Sequence, residues 1–267
     1  MSITTITTHV EPAGGAAPEA AFAAPLALAE AHGARLTALV FPAETAQAEA
    51  TLPSWDLARM EEDAASRLRE AAEKRGVACE IRTRSSFAYG VGEVMADHMR
   101  VSDIGLLTIQ GSPGAGQRML IGAALFDSGR PLLLVPAGAA SFPPSRVVVA
   151  WDATPAAVRA VHGALPLIRA AAETLVVTVT DDKELRAGQS GIELTHLLAR
   201  HGARASFRSV KRAGGVLETL AGVAREVPGG LLAMGALRHS PLHNMVFGSA
   251  TTDLMQSGPA VATLLSA

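Results

Sequence analysis

Apolar positions along the chain change their spacing in a regular way: short runs rich in β-branched residues and leucine alternate with Ala- and Leu-rich stretches of helical period. Ile3–His9 reads as the first strand, and Glu19–His32 as a helix closed by Gly33, a normal residue just past a helix C-terminus. Arg35–Phe41 is the next strand. In the helix predicted over Leu57–Arg75, Leu57, Met60, Ala64, Leu68 and Ala71 recur every three or four positions among charges, the stripe of an amphipathic helix. A strand at Ala78–Arg84, a helix at Gly92–Arg100, a strand at Ile104–Ile109, a short helix at Gly122–Asp127 and a strand at Leu132–Val135 complete this first series.

The pattern then breaks at Ala137-Gly-Ala-Ala-Ser-Phe-Pro-Pro-Ser145, a stretch with the composition of an interdomain linker, and restarts. Arg146–Trp151, Leu175–Thr180, Arg204–Val210, Leu231–Met234 and Val261–Leu265 read as strands. Pro155–Ala172, Ile192–His201, Val216–Arg225 and Ser249–Gln256 are the helices between them, with Ser190 and Glu193 at capping-box spacing before the second. Each half is thus βαβαβαβαβ, which implies a five-stranded parallel sheet with helices on both faces. Residues repeat as well: Leu36-Thr-Ala-Leu-Val40 answers Leu175-Val-Val-Thr-Val179, and Ile121-Gly-Ala-Ala124 answers Phe247-Gly-Ser-Ala250. Ser128-Gly-Arg-Pro131 likewise answers Ser257-Gly-Pro-Ala260. The expected organisation is a tandem duplication, with domains at 1–137 and 146–267 joined by a linker at 138–145.

Composition narrows the function classes. With 267 residues, 49% hydrophobic and 18% charged, the chain is long and apolar enough to bury one large core or two small ones. Its net charge of -2 excludes a whole-chain polycation, so no nucleic-acid partner is expected. A single cysteine, Cys79, excludes an internal disulfide or a four-cysteine zinc site, and reads as a small core residue rather than a nucleophile. The first cationic residue is Arg35, and the apolar stretch Ala20–Ala29 is about half the length that crosses a bilayer. A cytoplasmic protein without a membrane partner is the expectation.

Ligands of open doubly wound sheets bind beyond the carboxyl ends of strands, where strand order reverses. In the second half those loops are Trp151-Asp152-Ala153-Thr154-Pro155 and the stretch from Gly235 to Gly248-Ser249. Glycine lets a backbone approach a phosphate, and Ser249 followed by free amides makes a helix N-terminus suited to an anion, with Thr251 and Thr252 adding hydroxyls. Asp152 is placed to accept from an adenine amino or ribose hydroxyl group. Plainer readings stand beside these: Gly235 as a turn, Ser249 as a cap, and Thr154-Pro155 as an ordinary N-cap and first helical residue. His239 and His243 have metal-compatible spacing only in a helix, and Pro241 lies between them, so no metal site is expected. No nucleophile elbow is present. Glu61-Glu62-Asp63 reads as a solvated face, Trp55 as packed beside its helix, and Trp151 as either an adenine neighbour or a core residue.

These residues resemble the universal stress protein family in its tandem two-domain form. Its ATP-binding signature is Gly, two residues, Gly, nine residues, Gly, then Ser or Thr; here Gly235, Gly248 and Ser249 match at the right distances, and Arg238 stands at the second Gly. His239-Ser-Pro-Leu, Phe247-Gly-Ser-Ala-Thr and Val149-Ala-Trp-Asp-Ala-Thr-Pro155 are similar to that family too, whose members usually read Val-Asp-Gly-Ser-Pro at the last place. The resemblance covers the second half and, through the repeat, the first half weakly. It implies two Rossmann-like domains of the adenine nucleotide alpha hydrolase-like type, paired with each other across their last strands, and a stress-response role without a defined reaction. It also implies ATP or another adenine nucleotide, with magnesium only as its companion, held by Asp152, Thr154, Val179, Gly235, Arg238, Gly248, Ser249, Ala250 and Thr251. Among these, Val179 would lie near the adenine and Ser249 would hold the terminal phosphate.

Departures leave alternatives open. Arg238 either reaches the phosphates as a charge-assisted donor or fills their space. In the first half the aligned positions are Ile109, Ser112, Gly122 and Ala123, and no Asp ends the first strand; Gly111-Ser-Pro-Gly-Ala-Gly116 is either a phosphate nest or a loose loop. The first half is therefore expected to be nucleotide-free. Through Ser141 there are 11 basic and 16 acidic residues (-5), and beyond it 12 basic and 9 acidic (+3), a difference that favours an anion in the second half. No general base or metal-positioning carboxylate stands in the loops, so a regulatory protein is expected rather than an enzyme, with slow ATP hydrolysis left open. The alternative from another class is a nucleotide-free interaction module or small-ligand binder of the same fold. An α/β hydrolase is disfavoured because its nucleophile and base are unassigned. Pairing of whole chains into homodimers stays open.

Overall fold

The computed structural model describes residues 2–12, 18–43, 48, 51–83, 90–139, 142–181, 191–236 and 250–267. The chain divides into two compact units, Ser2–Ala140 and Ser141–Ala267.

In the first unit β1 (Thr5–Val10), β2 (Arg35–Val40), β3 (Cys79–Thr83), β4 (Ile104–Ile109) and β5 (Leu132–Pro136) form a parallel sheet in the order β3-β2-β1-β4-β5. The helices are α1 (Pro18–His32), α2 (Ser54–Lys74), α3 (Val91–Arg100) and α4 (Ala115–Phe126). Helices α1 and α2 pack together against the sheet, as do α3 and α4. Alternation along β1 shows its two faces: the Thr7 hydroxyl meets Ser102 Oγ (2.7 Å) and the carbonyl of His98 on α3, while Thr8 turns the other way and donates to the Leu106 carbonyl. Strands buried on both faces read as continuous apolar runs, and in β4 Ile104, Leu106, Leu107 and Ile109 are all buried.

The amino ends of β1 and β4 are stapled by Asp103, whose Oδ2 accepts from the backbone and hydroxyl of both Thr4 and Thr5 at 2.7–3.1 Å. Burial raises the pKa of this carboxyl, but the four hydrogen bonds outweigh it and hold the group below its ordinary range.

The second unit repeats the plan with β6 (Arg146–Ala150), β7 (Glu173–Val179), β8 (Ala205–Val210), β9 (Gly230–Gly235) and β10 (Ala262–Ser266) in the order β10-β9-β6-β7-β8. Its helices are α5 (Pro155–Ala170), α6 (Gly191–Arg200), α7 (Val216–Arg225) and α8 (Ala250–Ser257). The chain runs outward from β6 to β7 and β8, then crosses back to β9 on the other side of β6. Strand order therefore reverses between β6 and β9, as it does between β1 and β4 in the first unit. Five parallel strands per unit, with helices between them, make each unit a Rossmann-like α/β domain.

Several details differ from the sequence expectations or decide between them. Helix α4 starts at Ala115, seven residues before Gly122, so Gly122 and Ala123 lie inside a helix and do not open one. Gly111-Ser-Pro-Gly-Ala-Gly116 runs through a left-handed turn at Gly111 (φ 66°) into that helix, with Gly114 as its N-cap and Gly116 buried in the first turn. On α2 the acidic run is split: Glu61 is only 6% exposed, whereas Glu62 and Asp63 are solvated, and Trp55 is 66% exposed rather than packed beside its helix. Cys79 is half-buried, and burial pushes its thiol up to about 11, away from nucleophilic character. Ser190 of the expected capping box lies outside the described residues.

Candidate functional site

The carboxyl ends of β6 and β9, neighbours in the sheet, meet their following loops at the point of strand reversal. After β6, the Trp151 amide donates to the Val177 carbonyl (2.8 Å) and the Trp151 carbonyl accepts from the Thr178 hydroxyl (2.9 Å), which fixes the strand end against β7. The chain then turns through Ala153 at φ 58°, a left-handed conformation that is costly for a residue with a Cβ. A short polar chain holds this turn. Asp152 Oδ1 accepts from the Thr154 amide (3.1 Å) and hydroxyl (2.7 Å), and Thr154 Oγ1 accepts from the Ala157 amide (3.2 Å), capping α5. Asp152 and Thr154 are both half-buried at this edge.

Gly235 ends β9 beside that turn. A Cβ there would lie 2.6 Å from the Ala157 nitrogen and 2.7 Å from the Ala156 carbonyl carbon. Its bare backbone therefore admits the first turn of α5, which brings the amino end of that helix against the end of β9. Val179, the last residue of β7, is buried next along the same edge. Beyond it Asp181 accepts the Arg212 amide at Oδ1 (2.9 Å), with the guanidinium 3.6 Å from Oδ2, tying the loops after β7 and β8. The Arg212 backbone bond, with that cation's charge behind it, lowers the Asp181 pKa against a smaller opposing effect of burial. Ala250 and Thr251 open α8, with Ala250 half-exposed and Thr251 buried at 5% exposure.

Of the residues predicted for the site, Asp152, Thr154 and Gly235 are thus brought together around the first turn of α5, and Val179 stands at the end of the adjacent strand. Arg238, Gly248 and Ser249, which carry the phosphate end of the signature, lie outside the described residues, as do His239 and His243. Among the described residues no group of three His, Cys, Asp or Glu side chains is placed to hold a metal, and no helix is long and apolar enough to cross a membrane. At this edge Asp152 supplies an acceptor, whose Oδ1 already serves Thr154, and the close approach that Gly235 permits is taken by α5.

The sequence reading did not single out the corresponding edge of the first unit. There His9, 8% exposed, has Nε2 at 2.7 Å from the Phe41 carbonyl and its ring tilted against the Phe41 ring at 4.9 Å. Because a carbonyl only accepts, Nε2 carries the proton. Burial drives the imidazole pKa down to about 4, with the Phe41 bond opposing, so His9 is neutral at ordinary pH. Next to it Glu11 Oε2 accepts the Ala43 amide at 2.9 Å. The only hint in the sequence was a histidine closing a threonine-rich strand.

No protein-family model and no curated protein sequence matches the chain. Solved structures do. A universal stress protein from Archaeoglobus fulgidus DSM 4304 superposes with a TM-score of 0.68 at 16% identity, over 97% of this chain and 95% of that one. A functionally unknown protein from Pseudomonas aeruginosa PAO1 gives a TM-score of 0.56 at 12% identity, over 99% and 92% of the two chains. The cytoplasmic domain of a prokaryotic cation chloride cotransporter gives 0.52 at 12% identity, over 99% and 95%. At these identities the likeness is one of fold, and the fold is that of universal stress proteins.

Proposed function

We propose that this chain is a tandem universal stress protein with a regulatory role in the stress response, and that its second unit binds ATP or another adenine nucleotide at the carboxyl edge of β6 and β9. One observation carries the reading: Asp152 and Gly235, far apart in sequence, stand at the carboxyl ends of the neighbouring strands β6 and β9, the point of strand reversal where open α/β sheets take their ligands. The fold likeness to a universal stress protein and the match of Gly235, Gly248 and Ser249 to the ATP-binding signature support it. Asp152 would hold the ribose or the adenine amino group, and Ser249 with the amides before α8 would hold the terminal phosphate. A cytoplasmic location belongs to the same reading.

A nucleotide-free interaction module is the second reading. Asp152 already serves its own turn, and Arg238 replaces a glycine of the signature. The cytoplasmic domain of a cation chloride cotransporter shares the fold.

Titration calorimetry of the intact chain with ATP separates the two. Asp152→Ala is expected to weaken binding about tenfold, the loss of one charged hydrogen bond. Arg238→Gly shows whether the guanidinium helps or blocks. Absence of ATP binding at millimolar concentration in both the parent and Arg238→Gly, with both folded, leaves the interaction module.

A further inference from the structure

The outermost strand of the second unit, β8, combines two properties that nothing in the nucleotide site requires. The first is charge. Residues 200–212 carry five basic side chains, Arg200, Arg204, Arg208, Lys211 and Arg212, and no acidic one, in a chain whose net charge is -2. Two of the five are balanced: Arg208 by Glu226 at 2.9 Å, and Arg212 by Asp181. Arg200, Arg204 and Lys211 are exposed and, among the described residues, meet no carboxylate.

The second property is hydrogen bonding. The carbonyls of Arg204 and Val210 accept from the β7 side, from the amides of Thr174 and Thr180. In an extended strand the backbone groups of alternate residues point to opposite sides. The N–H and C=O groups of Ala205, Phe207 and Ser209 therefore point away from β7, and among the described residues nothing pairs with them. An unpaired edge is a template for one more strand.

Charge selects what that strand is. A second copy adding its own β8 would bring the same cluster of unbalanced Arg and Lys side chains alongside the first, which repels. Strand β3, at an edge of the first unit's sheet, offers no free acid either, because Glu80 already bridges Arg35 and Arg82. We propose that the outer edge of β8 docks an extended acidic segment of a partner protein, which joins the second sheet as an added parallel or antiparallel strand, with a carboxylate near each of its ends, one against Arg204 on one face and one against Lys211 on the other.

The probe is a fluorescent Glu-Val-Thr-Val-Thr-Val-Thr-Glu peptide, whose end carboxylates fall on opposite faces of a strand as Arg204 and Lys211 do, with the same peptide carrying Lys at both ends as its counterpart. Anisotropy is expected to show binding of the acidic peptide only, weakened by salt and at least about tenfold by the double change Arg204→Glu with Lys211→Glu. Amide exchange at Ala205, Phe207 and Ser209 should slow on binding. Ser209→Pro deletes one outward N–H from an exposed position and should also weaken binding about tenfold. If that variant fails to fold, a peptide methylated on alternate amides makes the same test against the parent chain. No binding at millimolar peptide overturns the proposal. So does binding insensitive to Ser209→Pro and to amide methylation. Equal binding of a single-stranded oligonucleotide or of phosphatidylserine vesicles, also insensitive to Ser209→Pro, marks a polyanion surface and overturns it too.

Discussion

The two units close their carboxyl edges by different means. In the first, side chains at the end of β1 reach sideways: His9 and Glu11 fasten the backbone of Phe41 and Ala43, in the loop that follows β2. In the second, the polar residues after β6 act on their own helix, Asp152 and Thr154 capping α5, while Gly235 lets that helix come up against β9. The final residue of β4 is Ile109, 2% exposed, where β9 ends in a glycine. The same fold thus supports a knitted edge with an apolar strand end and a capped edge with a bare one. Only the second leaves main chain at the point of strand reversal free of a side chain.

The sharpest way to break this comparison is Gly235→Ala. The added methyl has backbone, not a flexible side-chain tip, at 2.6 and 2.7 Å, so strand or helix must move. A loss of about 3 kcal/mol in urea unfolding is expected, at the upper end for overpacking. A loss below about 1 kcal/mol would mean that α5 does not depend on the close approach.

A comparable effect is expected from acid, acting on the first edge. The folded pKa of His9, about 4, lies below the unfolded value of 6.5, so the unfolded chain binds the proton more readily. The His9 contribution is complete above pH 6.5 and is lost as pH falls through 6.5 toward 4, where it levels off at about 3 kcal/mol. His9→Phe keeps a ring and removes the titration. Urea unfolding at pH 7 and pH 4.5 should therefore show a smaller acid loss in the variant than in the parent; equal losses would put the pH sensitivity elsewhere.

How much of this the sequence discloses follows from what each element depends on. Central strands and the helices between them depend on apolar runs bounded by turn residues, and Ile104–Ile109 and Val216–Arg225 were legible to the residue. Helix α4 was not, because Pro113, Gly114 and Gly116 look like breakers; the first two only precede the helix, and the third turns its bare face to the interior. On α2 the stripe holds at Leu57, Ala64 and Leu68 but is one residue off at Met60 and Ala71, where Glu61 and Ala72 are the buried ones. An acid on the buried side of a helix breaks the rule from which stripes are read. In the site, strand ends and turn chemistry pointed to Asp152, Thr154 and Gly235, but that the space beside Gly235 is taken by α5 is a matter of tertiary approach. His9 escaped because its role depends on a loop 32 residues away.

Smaller effects probe the turn after β6. Thr154→Ala removes the acceptor for the Ala157 amide and one of the donors to Asp152. The expected loss is about 1 kcal/mol in urea unfolding, the ordinary value for an N-cap. No change would mean that solvent caps α5 equally well.

Ala153→Gly should act in the opposite direction. At φ 58° the alanine Cβ crowds the backbone, a strain of about 1 kcal/mol that the hydrogen bonds of Asp152 and Thr154 hold in place. Glycine relieves the strain, but its freer unfolded chain takes back roughly half of the gain. A net stabilisation of about 0.5 kcal/mol is therefore expected, the smallest effect here and the one most specific to the second edge. The measurement is a shift of the urea midpoint at unchanged slope. A destabilised variant would show that the left-handed turn is not strained and that the capping chain maintains the helix start rather than a costly backbone. The second edge would then owe its form to Gly235 alone.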